Sequence, residues 1–458
     1  MKRLLCLILA LAMITCFFAG CDSDPAASDD PQIDAPISGN NNDNNTPEVD
    51  DKLFPELDEL VTVTFWHSIT NETVYAAFEE VVNTFNNGIG KEKNVYVELV
   101  QYSSAAELNT AVTGAIMSNS APDIVMGSSI YMVEYLSAEA LVNLTPYVEH
   151  EEYGMDMSDI YDCWLLNCNN YDDAHNYYCM PILAYSEVMY YNVDFFENNN
   201  LTVPTTWEEA EAVSREASAI IGKGALGWDN ACKMFTTLAE QTGVGYTDPQ
   251  GNLLFADDLD TVLEKVQWYV DLVDEGVFRT PGDSYYFSGP FANQEIPMYI
   301  GSGVEGAYID MKIDPANPFT WNCATVPYFE GSDPATFSEC NLLAVVDQGE
   351  DYKARLASWE FLKYFESTEA VLTMAGAGAY IPVLKSVAED PAWQATASPA
   401  QLVGVEQMSS YYAFYGFDNG EYTSSAIYTD LKTTCESVLG NGDDLRSSIK
   451  NLLTLYNR

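Results

Sequence analysis

Basic residues are scarce in this chain: 19 Lys and Arg stand against 69 Asp and Glu over 458 residues, a formal charge of -50. That balance opposes phosphate backbones and anionic lipid headgroups, so nucleic acid is excluded as a partner. It also disfavours an anionic ligand and favours neutral or cationic ones, although one local Arg overrules a global charge. Histidine numbers only 3, and no G-x-S-x-G elbow or H-E-x-x-H pair occurs, which removes two familiar hydrolase signatures. The elements do not repeat as eight strand-helix units, which argues against a barrel enzyme. After the first 20 residues no apolar run reaches the roughly 20 residues of a spanning helix.

Of ten cysteines, Cys6, Cys16 and Cys21 fall at the N-terminus, leaving Cys163, Cys168, Cys179, Cys232, Cys323, Cys340 and Cys435. An odd number cannot pair completely. Cys163, Cys168, Cys179 and His175 lie close in sequence but lack the C-x2-C spacing of a zinc site. A disulfide among those three cysteines and buried free thiols both stay open. No metal or cofactor is implied.

What the chain does have begins at its N-terminus. Lys2 and Arg3, an apolar stretch over residues 4–18 and Ala19-Gly20-Cys21 read as an export signal over residues 1–20. The pattern resembles the lipobox of bacterial lipoproteins, with Phe18 where Leu is usual, and the resemblance implies that Cys21 is diacylated. A plain membrane anchor is the alternative. Two acyl chains anchor a soluble domain stably, at about 0.8 kcal/mol per buried methylene. Residues 21–59 are rich in Asp, Asn, Pro and Ser, so they read as a disordered acidic tether.

The remaining 400 or so residues exceed one core and predict two lobes. Residues 60–66 (LVTVTFW) and 95–102 read as strands, and residues 72–85 as a helix burying Val74, Phe78, Val81, Val82 and Phe85. Residues 122–126 form a third strand. Strand, helix, strand implies parallel α/β structure. Thr206 and Glu209 form a capping box that starts a helix toward Ile220, and further helices are expected at 259–275, 352–365 and 429–439.

In order, VTVTFWHSIT, SNSAPDIVMG, MPILAYSEVMYYNVDFFENNNLTVPTTWEEA, GALGWDN, IPMYIGSG, WNCATVPYFEG, ASWEFLKYFES and AGAYIPVLKS resemble family 1 extracellular solute-binding proteins of ABC importers, the maltose-binding and glycerol-3-phosphate-binding group. The likeness spans residues 60–458. It implies an α/β two-lobed periplasmic-binding-protein-like fold (type II) with a mixed sheet in each lobe and a hinge between. Residues 60–183 plus about 336–370 would form the N-lobe, and 188–327 plus about 371–458 the C-lobe. The implied activity is capture of a solute and its delivery to a permease by a lipid-anchored monomer, without catalysis.

A hydroxyl-rich ligand needs flat rings for its C-H faces and amides, carboxylates and hydroxyls for its OH groups, and 30 Tyr and 8 Trp supply rings in excess of a core's needs. Strand ends nominate Trp66, His67, Ser68, Tyr102, Ser128 and Ser129. A core Trp and a satisfied core His are the structural alternatives for Trp66 and His67. The hinge nominates Tyr185 and Glu187, and the loop after Gly227 nominates Trp228, Asp229 and Asn230. The resemblance adds Ser302, Gly303, Glu305, Asn341 and Tyr380. Where glycerol-phosphate binders carry a late arginine, FYGFDNGEY offers Asp418 and Glu421. Without the bidentate fork that phosphate prefers, the ligand is expected to be a neutral carbohydrate, more readily an oligosaccharide. A secreted carbohydrate-active enzyme and a sensory or adhesive lipoprotein are the alternatives.

Overall fold

The computed structural model describes residues 51–457, so the anticipated export signal, Cys21 and most of the anticipated tether lie outside the described residues. Among the described residues ten strands occur: β1 (Val61–His67), β2 (Val95–Gln101), β3 (Ile124–Gly127), β4 (Met180–Asn192), β5 (Leu226–Gly227), β6 (Phe278–Arg279), β7 (Met298–Ser302), β8 (Trp321–Ala324), β9 (Thr336–Val345) and β10 (Tyr411–Tyr412). Eight form one mixed sheet in the order β2-β1-β3-β9-β4-β7, with β10 on β9 and β8 on β4, while β5 and β6 pair separately. β1 runs parallel to β2 and β3, as strand-helix-strand units require, and β9 runs antiparallel to β3 and β4.

Local sequence accounts for these elements. Asn71 caps the helix Glu72–Asn87 by accepting from the amides of Thr73 and Val74, and the buried side chains are the five anticipated, Val74, Phe78, Val81, Val82 and Phe85. Each buries apolar surface worth about 1.5–3 kcal/mol. Thr206 and Glu209 form the capping box of the helix Trp207–Ile221, which stops at left-handed Gly222. The last of the anticipated helices starts earlier than residue 429, at Ser424, because Thr423 accepts from the Ala426 amide as its cap.

Buried apolar side chains gather into two large cores and a smaller one. The first holds Phe65, Phe78, Trp164, Trp359 and Phe361. The second holds Trp207, Trp228, Phe235, Tyr269 and Ile427, and the smaller packs Tyr190, Phe291 and Tyr299. β4 contributes Leu183 and Ala184 to the first core and Met189 to the second, while β9 gives Phe337 to the second and Leu342 to Val345 to the first. β4 pairs with β9 over residues 180–186 and with β7 and β8 over residues 187–192, so this one long strand joins two stretches of mixed sheet.

Two boundaries differ from the sequence reading. The acidic tether was extended to residue 59, yet Phe54 stacks on Tyr153 at 4.9 Å and lies 5.3 Å from the ring of Tyr147, and the Leu57 carbonyl accepts from Asn94 Nδ2 at 2.8 Å. Leu53, Phe54 and Leu57 bring enough apolar surface to pack where their acidic neighbours cannot. The chain was also placed with the C-lobe from about residue 371, whereas Val371, Met374, Ile381, Leu384 and Trp393 all belong to the first core. The apolar side chains of the helix Thr368–Gly376 find their partners on that side of the molecule.

Candidate functional site

Where β4 and β9 pass from one core to the other, the side chains on either side of the crossing enclose a cavity of about 270 Å³. Strand geometry explains its walls. The ends of β1 and β3 supply Ser68 and Ser128, Tyr185 comes from β4, and Phe337, Glu339 and Asn341 are alternate residues of β9, which place their side chains on one face. The other wall brings Lys233 from the helix Ala231–Gln241, Phe414, and Tyr428 from the helix Ser424–Asn441. Tyr131 follows from the helix Ser129–Ser137.

The polar groups are ordered against one another. The Tyr185 hydroxyl donates to Glu339 Oε2, and burial, reinforced by that carboxylate, pushes the phenol well above its usual range. Lys233 Nζ stands 4.0 Å from the ring centroid of Phe337 and 5.2 Å from that of Tyr185, and among the described residues no carboxylate lies within 4.0 Å of it. Asn230 caps the helix that carries Lys233 and donates from Nδ2 to the Tyr428 hydroxyl at 2.9 Å.

Behind this wall Glu187 is fully buried and accepts from Trp228 Nε1 at 2.8 Å. Burial raises its carboxyl to about 7, against the opposing pull of Lys233 and the Trp228 bond. Asp229 accepts from the Phe287 amide at 2.6 Å. Burial and the neighbouring Glu305 push Asp229 well above the usual carboxylate range. Tyr299 donates to Glu305 at 3.1 Å, and the Ser302 carbonyl accepts from Tyr190 at 2.8 Å.

Of the residues nominated from sequence, Ser68, Ser128, Tyr185 and Asn341 line the cavity, and Asn230 touches it through Tyr428. Ser129 stands beside it, its Oγ donating to the Phe414 carbonyl at 3.3 Å. Trp66 and Tyr102 pack on each other at 5.2 Å as half-buried ends of β1 and β2. Tyr380 lies near Glu339, and burial lifts its phenol to about 12. Glu187, Trp228 and Gly303 are buried and Asp229, Ser302 and Glu305 half-buried, and none of the six lines this cavity.

His67 is a core residue. It has no exposed surface, its Nδ1 accepts from the Ile69 amide at 3.3 Å, and burial holds it down to about 4. A strand that alternates its side chains turns His67 inward with Val63 and Phe65.

Lys233, Glu339, Phe337, Phe414, Tyr131 and Tyr428 were not read from the sequence. The period of β9 could have found Glu339, which shares a face with Asn341, and Lys233 is a lone cation on a helix otherwise largely buried.

A model of the bacterial extracellular solute-binding proteins matches residues 77–400, well over half of the chain. This is a bacterial extracellular solute-binding protein. A search of curated proteins finds no match. Among solved structures, the solute-binding protein is similar to UgpB from Mycobacterium tuberculosis in complex with glycerophosphocholine, at 18% identity and a TM-score of 0.72, over 87% of this chain and 99% of that one. It is also similar to the cyclic alpha-maltosyl-1,6-maltose binding protein from Arthrobacter globiformis, at 21% identity and a TM-score of 0.70 over 87% and 98%. Maltose-bound MalE3 of T. maritima matches at 16% identity and a TM-score of 0.70 over 86% and 99%. These likenesses establish the α/β periplasmic-binding-protein-like fold. Among the described residues no helix is long and apolar enough to cross a membrane.

Proposed function

We propose that this solute-binding protein captures a neutral carbohydrate in the cavity at the β4–β9 crossing and delivers it unchanged to the permease of an ABC importer. The observation that carries the reading is the composition of that cavity. Rings of Phe337, Phe414, Tyr185 and Tyr428 stand among the hydroxyls, amide, ammonium and carboxylate of Ser68, Ser128, Asn341, Lys233 and Glu339. Aromatic faces suit the C-H surfaces of a sugar ring, and the polar set can both donate to and accept from its hydroxyls. Lys233 and Glu339 carry opposite charges, so the cavity is formally balanced and suits an uncharged solute. Maltose-bound MalE3 of T. maritima and the cyclic alpha-maltosyl-1,6-maltose binding protein of Arthrobacter globiformis, which share the fold, support the same class.

Binding would draw the two cores together in proportion to the solute's preference for the closed arrangement. Diacylated Cys21 would hold the protein at the outer face of the membrane beside its permease. Thermal-shift and calorimetric screening against mono- and oligosaccharides, glycerol phosphates, amino acids and polyamines tests the reading. A saccharide at about 100 times its Kd should add roughly 2.7 kcal/mol and be recovered intact. A saccharide recovered cleaved would show an enzyme, and hits confined to phosphates or amines would show another solute class.

A further inference from the structure

Capture in this cavity depends on how closely the two cores meet, and a contact that starts at the cavity's edge and runs away from it joins them directly. The helix Ser129–Ser137 belongs to the first core through Met132 and Tyr135. Opposite it runs the segment 414–418, anchored in the second core by Phe414 and Phe417. At one end of the helix Ser129 Oγ donates to the Phe414 carbonyl at 3.3 Å, and at the other Ser137 Oγ donates to Asp418 Oδ2 at 2.9 Å. Gly416 lies between. A Cβ built on it would stand 2.2 Å from the Ser129 carbonyl oxygen, so this approach of backbone to backbone exists only because the residue has no side chain.

The same helix stands between two cavities. Ile130 and Tyr131 face the cavity of about 270 Å³, whereas Val133 and Ser137 face a second of about 640 Å³ that Phe417 and Asp418 also line. Gly416, Ser137 and Asp418 do not line the first cavity, so their effect on a solute held there would act through the approach of the cores.

We propose that the helix Ser129–Ser137 and the segment 414–418 form a clasp that holds the two cores closed, with Gly416 setting the distance of approach. This rests on the capture reading above, because a clasp matters only if the cores move. Its contacts cross from one core to the other, so each counts toward the closed arrangement alone and adds to whatever preference a solute supplies. Loss of the clasp would speed solute release more than it slows encounter.

Small-angle scattering of the solute-free protein and its Gly416→Ala variant tests this without any assumption about the solute. The variant should shift to a larger radius of gyration with an unchanged far-ultraviolet circular dichroism spectrum. Asp418→Ala, which deletes the acceptor of the Ser137 hydroxyl, should shift it the same way by less, and carries the test if Gly416→Ala does not fold. Because Asp418 also accepts from the Gly420 amide through Oδ1 at 3.0 Å, Ser137→Ala, which removes the donor and leaves that turn intact, should shift the radius in the same direction as Asp418→Ala. A radius of gyration identical in wild type, Gly416→Ala and Asp418→Ala would overturn the clasp. The carbohydrate reading is decided separately, by calorimetry on the wild type.

Discussion

Glu187 puts a carboxyl in an unfavourable place for a charge, buried with 1% of its surface exposed and bonded to Trp228 of the second core, and its titration should be visible in the stability of the whole fold. In the unfolded chain its proton leaves near the usual 4.5, whereas in the fold it is held to about 7 because burial penalises the carboxylate. Between those values the unfolded state binds fewer protons than the folded state, so stability falls as pH rises. The contribution is complete below about 4.5, declines as pH climbs through 7 and is gone above it. At about 1.4 kcal/mol for each tenfold change in proton affinity, the full loss is roughly 3 kcal/mol, of which about 2.5 kcal/mol falls between pH 5 and pH 8.

Glu187→Gln isolates that term. The amide oxygen can still accept from Trp228 Nε1, which now donates to Glu187 at 2.8 Å, and the side chain no longer titrates. The new NH₂ donors bring a penalty of their own, but one that is the same at every pH. Denaturant unfolding of both proteins at pH 5, 6, 7 and 8 should therefore show the stability of the wild type falling relative to the variant by about 2.5 kcal/mol over that range. Other buried carboxyls with raised values, Asp229, Glu240 and Glu366 among them, titrate in both proteins and largely cancel. Parallel pH profiles would refute the reasoning, for they would mean that Glu187 is already ionised in the fold and that Lys233 neutralises it.

Tyr185→Phe removes the hydroxyl that donates to Glu339 and leaves that carboxyl on the cavity lining without its donor. A hydrogen bond to a charged group is worth about 1.5–3 kcal/mol, so Kd for a bound saccharide should rise at least tenfold by calorimetry. Lys233→Met should also weaken binding by about an order of magnitude, and an unchanged isotherm would remove the lysine from the site. Phe54→Ala should cost about 2 kcal/mol in denaturant unfolding, since its ring packs on Tyr147 and Tyr153; a loss below 0.5 kcal/mol would return that segment to the tether. Lys93→Ala strands Glu360, whose side chain is 2% exposed and pairs with Lys93 at 2.7 Å, and should cost about 3 kcal/mol unless Lys363 at 3.7 Å replaces it.

How much of this could be read from the chain depends on how far apart the cooperating residues lie. The helix Glu72–Asn87 and the capping box at Thr206 are local events, governed by periods and caps a few residues long, and the sequence carries them in full. Family motifs carried the fold, because eight short patterns in a fixed order constrain topology even where each alone says little. The boundary at residue 371 escaped because the destination of the helix Thr368–Gly376 is decided by its partners in the first core and not by its own pattern. His67 shows the commoner difficulty: a strand end and a strand interior differ by one residue, and a shift of one reverses the face.

The cavity lies at the far end of this scale. Tyr185 and Glu339 are 154 residues apart, and Lys233 reaches them from a helix whose remaining residues are mostly core. Nothing local marks such a lysine as different from a solvated one. What marks it is the structure's placement of an ammonium over two aromatic rings, opposite a carboxylate already engaged by a phenol, in a chain with so few cations to spend. The charge of -50 belongs to the chain as a whole, whereas the proposed cavity sets one ammonium, Lys233, against one carboxyl, Glu339, and the Tyr185→Phe and Lys233→Met isotherms test whether a solute is bound between them.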